Sequence, residues 1–139
     1  MAKTIATLLG VVFILVGLVG FISPGFLGTH LSTTHNLVHL ISGAVSLYFG
    51  LKGTLAGARA FCLAFGVVYG LLGIAGFLLG GSGQHTIEGI SHGTDSRLLS
   101  VIPGALELGS ADHIIHILLG IVYLAGGLLT RADVRRAVD

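Results

Sequence analysis

At 139 residues the chain has the length of one domain, yet 53% of its residues are apolar and only 9% charged, against the roughly 25% charged of a water-soluble domain. A net charge of +1 with no Lys/Arg cluster excludes a phosphate-backbone-binding surface, so no nucleic-acid partner is expected, and a single cysteine excludes an internal disulfide. A mean hydropathy of +0.98 and 23 glycines point instead to helices packed in a lipid bilayer.

A helix needs about 20 residues to cross roughly 30 Å of hydrocarbon, and four stretches of the chain qualify. The first, Thr4 to Ile22, follows Lys3 as a secretory signal would, but no A-x-A-like cleavage site follows it, so it reads as a retained span. The second runs from Thr34 to Leu51. The connection from Lys52 to Ala60 carries Gly53, Gly57 and Arg59 and reads as a tight turn between antiparallel helices. The third span, Phe61 to Leu79, contains Cys62, a small packing residue by its position. A long connection from Gly80 to Ala111 opens with Gly80-Gly81-Ser82-Gly83, expected to be a flexible helix exit. It also contains Ile90, Leu98, Leu99, Val101 and Ile102, and a short interfacial helix is expected around Ser96 to Val101 before Pro103. Asp112 to Leu129 forms the fourth span.

Direction follows from the cations. Lys3, Lys52, Arg59, Arg131, Arg135 and Arg136 fall at the N-terminus, the middle turn and the C-terminus, which are therefore expected in the cytoplasm. Arg97 alone lies in the other connections, among Glu88, Asp95, Glu107 and Asp112. The expected location is a bacterial inner membrane.

The chain also matches itself. At an offset of 56 residues, Gly10-Val11-Val12-Phe13 aligns with Gly66-Val67-Val68-Tyr69, and Gly17, Gly20 and Phe21 with Gly73, Gly76 and Phe77. At an offset of 77, Val38-His39-Leu40 and Gly43 align with Ile115-His116-Ile117 and Gly120. The difference between the offsets is a 21-residue insertion in the second outer connection. The expected fold is all-α, a four-helix transmembrane bundle in a single domain over 1–139, made of two parallel two-helix repeats of about 4–51 and about 61–130. A parallel repeat implies a pseudo-two-fold axis along the membrane normal. Glycines at 10, 17 and 20 and at 66, 70, 73, 76 and 80 would give the odd helices a smooth packing stripe.

Through Asn36-Leu37-Val38-His39 with Gly43, Gly66-Val67-Val68-Tyr69, and Asp112 to His116 with Gly120, the chain resembles a family of uncharacterised bacterial four-span membrane proteins, a domain of unknown function. The resemblance covers nearly the whole chain and implies a fold and a membrane location; His113 stands where it implies asparagine.

All seven histidines, at 30, 35, 39, 85, 92, 113 and 116, fall in the outer connections or the outer ends of helices. Residues 35 and 39 share a helix face by spacing, as do 113 and 116, with Asp112 four before His116. His39 and His116 hold equivalent repeat positions and so equal depth, with Gly43 and Gly120 one turn deeper, where they are expected to leave space beside each ring. Three readings are open. The imidazoles tie helices together and the protein is a small non-catalytic membrane subunit or scaffold, accessory to a larger respiratory or photosynthetic complex and partnered by other membrane subunits or by itself. Alternatively His39 and His116 hold a haem or chlorophyll ring, or His35, His39, Asp112 and His116 hold Zn or Cu. No enzyme is expected: there is no nucleophile elbow, P-loop or H-E-x-x-H, and the loop acids Glu88 and Asp95 with His92 read as solvated groups.

Overall fold

The structure, a computed structural model, describes residues 1–86 and 93–131. Its elements in chain order are α1 (Ala2–Gly20), α2 (Thr33–Leu51), α3 (Leu55–Leu79), β1 (Gly81–Gly83), β2 (Asp95–Ile102), β3 (Leu106–Leu108) and α4 (Ser110–Leu129), with a 3-10 turn at Phe26–Gly28 between α1 and α2. The chain is therefore mostly helical but not all-α. Glu88, Ile90 and His92 in the second connection, and Arg135 and Arg136 at the C-terminal end, lie outside the described residues.

Among the described residues three helices, α1, α3 and α4, are long and apolar enough to cross a membrane. α2 has the 19 residues of α1, but Thr33, Thr34, His35, Asn36 and His39 in its first two turns make it less apolar. The side-chain distribution is the reverse of that in a water-soluble bundle. Leu8, Leu15, Ile41, Val68, Leu71, Leu118 and Ile121 face outward, whereas His35, Asn36, Ser46, Asp112, His113 and His116 are buried. Apolar side chains outside and polar ones inside is the distribution that fits a membrane location.

Caps set the helix starts. Ser32 Oγ accepts from the His35 N–H (3.1 Å) to open α2, and Thr54 Oγ1 accepts from the Gly57 N–H (3.0 Å) to open α3. The Thr54 cap shortens the middle turn expected over Lys52 to Ala60: α3 already begins at Leu55. Arg59 thus lies on a helix, where its Nε donates to Gly127 O (3.1 Å) and ties α3 to the end of α4.

α1 packs chiefly along α2 and α3 along α4, while α1 also touches α3 and α4. Glycines let each pair approach closely. A Cβ at Gly10 would lie 2.9 Å from Leu47 N, and one at Gly66 2.7 Å from Leu124 N. At Gly17 it would be 3.0 Å from Asn36 O, and at Gly73 2.6 Å from His113 O. At Gly20 and Gly76 it would strike the Asn36 and His113 side chains. Gly70 differs from this stripe, since a Cβ there meets nothing within 4 Å.

The interior is divided along its length. Toward the α2–α3 turn lies an apolar and aromatic core that includes Ala6, Phe13, Phe61, Cys62, Tyr69 and Tyr123; Cys62 is buried there with its thiol toward Ala2 O (3.5 Å). Toward the opposite end the buried side chains are polar, including His30, His35, Asn36, His39, Glu107, Asp112, His113 and His116.

That opposite end is closed by the sheet, a three-stranded antiparallel arrangement in the order β1-β2-β3. Two expectations are corrected here. Gly80 to Gly83 is not a free exit, because Gly81 and Gly83 pair with Leu98 and Asp95 of β2. Ser96 to Val101 is not a helix, because Leu99 and Ser100 pair with Leu108 and Glu107 of β3. The physical cause is the tight turn between β2 and β3. The Ala105 N–H donates to Ile102 O (3.0 Å) around Pro103 and Gly104, whose φ of +73° suits the glycine of a Pro-Gly turn. A strand hairpin then satisfies the backbone that a single helical turn would leave open. The Ser32 hydroxyl donates to Ala105 O and joins this turn to the start of α2.

Candidate functional site

Two turns of α2 and one of α4 bring three imidazoles together. His35 and His39 lie four residues apart on one face of α2, with ring centroids 4.4 Å apart, and His116 of α4 faces His35 at 6.0 Å. One ring nitrogen from each of the three falls within 4.8 Å of the others. All three residues are buried, at 3%, 7% and 3% exposure, so these nitrogens are withdrawn from bulk solvent.

Aromatic packing holds the rings. Phe13 packs against His39 at 5.5 Å and 54°, and Tyr69 against His116 at 5.5 Å and 57°; Phe13 and Tyr69 meet at 5.2 Å. His35 Nδ1 lies 2.8 Å from His30 O. A carbonyl only accepts, so Nδ1 carries a proton, and in the neutral ring Nε2 is the atom with the free lone pair. His39 Nδ1 and His116 Nδ1 are buried without a hydrogen-bond partner, an arrangement that costs about 1–3 kcal/mol for each group left unsatisfied.

Asp112, the remaining residue of the metal set expected from the sequence, is directed elsewhere. Its Oδ2 accepts from the Gly109 N–H (2.8 Å) at the start of α4, and from the His30 N–H (3.1 Å) and His30 Nδ1 (3.1 Å). The carboxylate is spent on a helix cap and on hydrogen bonds from His30, although Asp112 lines one cavity with His39 and His116. Sequence reasoning missed His30, which braces both Asp112 and His35. His85 packs edge-on to His30 at 4.9 Å. His113 turns away from the cluster, where its Nε2–H donates to Arg97 O (2.7 Å) beside Phe77.

Cavities of about 220 and 170 Å³ flank the three imidazoles and share His39 and His116 in their walls. Each is smaller than the roughly 300–1,000 Å³ of pockets that take drug-sized molecules. The space expected beside the rings at Gly43 and Gly120 is also taken. A Cβ at Gly43 would lie 2.9 Å from Gly10 O, and one at Gly120 2.6 Å from Gly70 N, so both glycines serve close approach to α1 and α3.

The sheet carries two further carboxylates. Glu107 is buried at 2% exposure and accepts from the Thr86 N–H and Oγ1 (each 2.7 Å), the Gly104 N–H (3.0 Å) and Ser100 Oγ (3.3 Å). Burial opposes its ionisation, but these bonds outweigh burial and hold its pKa below the usual carboxylate range. Asp95 follows the same logic: burial raises its pKa, yet the Ser110 hydroxyl (2.6 Å) and N–H (2.9 Å) and the Arg97 N–H (2.8 Å) leave it lowered. Both groups are structural anions of the cap. Of the loop acid–base group Glu88, His92 and Asp95, Asp95 is the member within the described residues.

Comparison with curated proteins and with solved structures gives no match. A family profile does match, over residues 3–129, and its span takes in the described helices from the second residue of α1 onward and the three histidines. The chain belongs to the family described as Domain of unknown function (DUF4383).

Proposed function

We propose that the protein is a small non-catalytic integral membrane protein of a bacterial inner membrane. It crosses four times with both termini in the cytoplasm, and serves as a subunit or scaffold that packs against other membrane subunits or a second copy. The observation that carries this reading is the orientation of α2. Its outward residues Leu37, Val38, Ile41, Val45, Tyr48 and Leu51 are apolar and exposed, while its polar residues His35, Asn36, His39 and Ser46 are buried. A helix with that distribution is at home in lipid despite its lower hydropathy.

Charge supports the direction. Lys3, Lys52, Arg59 and Arg131 cluster at the end opposite the sheet, and Asp95 and Glu107 lie at the sheet end. Two parallel hairpin repeats are supported by packing that recurs at the sequence offsets. Gly10 on Leu47, Gly17 on Asn36 and Gly20 on Asn36 correspond to Gly66 on Leu124, Gly73 on His113 and Gly76 on His113. Phe13 on His39 corresponds in the same way to Tyr69 on His116.

Reporter fusions after Lys52 and after Asp139 are expected to read cytoplasmic, and one after Gly83 external; an external signal at either of the first two overturns the topology. Crosslinking in native membranes should yield species above the 14.2 kDa monomer. A protein that crosslinks to nothing at any reagent concentration is no subunit.

A further inference from the structure

We propose that His35, His39 and His116 form a binding site for one divalent transition-metal ion of the Zn²⁺ class. The three imidazole nitrogens are the ligands, and a further coordination position opens toward the flanking cavities. This site goes beyond the reading of the protein as a membrane subunit and stands without it.

Geometry is the first support. Three ring nitrogens from two helices lie within 4.8 Å of one another in a buried cluster. A tetrahedral ion with Zn–N bonds of 2.0–2.1 Å wants its ligand nitrogens ~3.3 Å apart. The rings therefore have to close by at most ~1.5 Å, which small side-chain rotations supply. Second, His35 is already braced as a ligand is: its Nδ1–H donates to His30 O at 2.8 Å, which directs the Nε2 lone pair outward. Third, interhelical hydrogen bonding alone would pair the buried nitrogens, yet His39 Nδ1 and His116 Nδ1 have no such partner.

The donor set selects the ion. Neutral imidazoles suit Zn²⁺ and Cu²⁺, whereas Mg²⁺ and Ca²⁺ require oxygen ligands. Cys62, the sole thiol, packs near Ala2 and supplies no soft ligand here. Asp112 is a nearby balance for the ion's charge. It lines the same cavity as His39 and His116, and its carboxylate is held by Gly109 and His30 rather than free to ligate. Three histidines with an open position and apolar walls match a metal that keeps an exchangeable ligand more than a closed structural site.

The test uses the full chain purified in detergent micelles, stripped with chelator, loaded with Zn²⁺ and desalted. One ion per chain should be retained by elemental analysis. His35→Ala, His39→Ala and His116→Ala should each lower retention by about tenfold or more, as loss of a ligand must cost at least what loss of its hydrogen-bond support does. His85→Ala and Cys62→Ala should retain the ion. No retained zinc in the unmutated protein, or undiminished retention in His39→Ala and His116→Ala, overturns the site. The stripped unmutated protein is also titrated with Co²⁺, so that no outcome depends on a variant folding. The site predicts visible bands of a low-symmetry nitrogen-ligated ion with no thiolate charge-transfer band; a spectrum like that of Co²⁺ in buffer refutes it.

Discussion

At the scale of single residues, identical glycines have different roles. Gly66→Ala would place a Cβ 2.7 Å from Leu124 N and 2.6 Å from Leu124 Cγ. Backbone on the facing helix yields poorly, so α3 and α4 must separate. The expected loss is about 1–3 kcal/mol, the usual cost of overpacking, read as a lower midpoint in denaturant unfolding in detergent. Gly70→Ala, four residues on, meets nothing within 4 Å and should be neutral or stabilise by up to ~1 kcal/mol through helix propensity. Equal losses at the two sites would contradict the packing described. Helical spacing alone put both glycines on the packing stripe. Only the direction of each Cα–Cβ vector separates them, and that depends on where α4 lies. The histidines show the same limit. The i, i+4 spacing makes His35 and His39 neighbours without tertiary information, but Asp112 shares a helix face with His116 and still turns to Gly109 and His30.

At the scale of elements, the helices follow from apolar length and from the Ser32 and Thr54 caps, and the sheet does not. A Pro103-Gly104 pair between Ile102 and Ala105 is a hairpin-turn signal in its own right, but beside long apolar spans it reads as a helix stop. Strand pairing then depended on partners up to 17 residues away, such as Leu98 on Gly81. Glu107 gives this cap a pH dependence. Its folded pKa is lowered, so its contribution is complete above the ordinary carboxylate value of ~4.3 and is lost as pH falls through the lower folded value. The protection of β2 and β3 amides against exchange, measured relative to their intrinsic rate at each pH, should fall as the protein is taken from pH 6 toward pH 3. Glu107→Gln should weaken the cap at pH 6 and flatten that response in part, Asp95 accounting for the remainder because it shifts in the same direction. Glu107→Ala, which strands the Thr86 and Gly104 donors, should cost about 1–3 kcal/mol. A pH response identical in unmutated protein and Glu107→Gln would remove Glu107 from this role.

At the scale of the whole molecule, the two hairpins must be held to each other, and a buried hydroxyl pair does so. Ser46 of α2 donates to Ala6 O of α1 (2.7 Å) and accepts from the Tyr123 hydroxyl of α4 (2.8 Å), so one serine joins three helices. Phe13 and Tyr69 meet beside it at 5.2 Å. A double-mutant cycle with Ser46→Ala and Tyr123→Phe should give a coupling of about 0.6–1.7 kcal/mol, the range of interhelical hydrogen bonds in membranes. Additive losses would mean that this hydroxyl pair does not help to hold the hairpins together.

Much of this architecture is determined by sequence alone. The apolar lengths, the two offsets and the placement of the histidines are properties of one-dimensional periodicity, and a bilayer permits little else for apolar segments that must pair their own backbone groups. The family membership rests on the same linear signal. Tertiary structure decided what faces what. It drew His116 onto the His35–His39 face, assigned Asp112 to a cap, filled the space at Gly43 and Gly120 with helix backbone, and folded the second connection into strands. Each of those outcomes turns on the relative rotation of two helices or on pairing between distant segments, and no local spacing encodes either one.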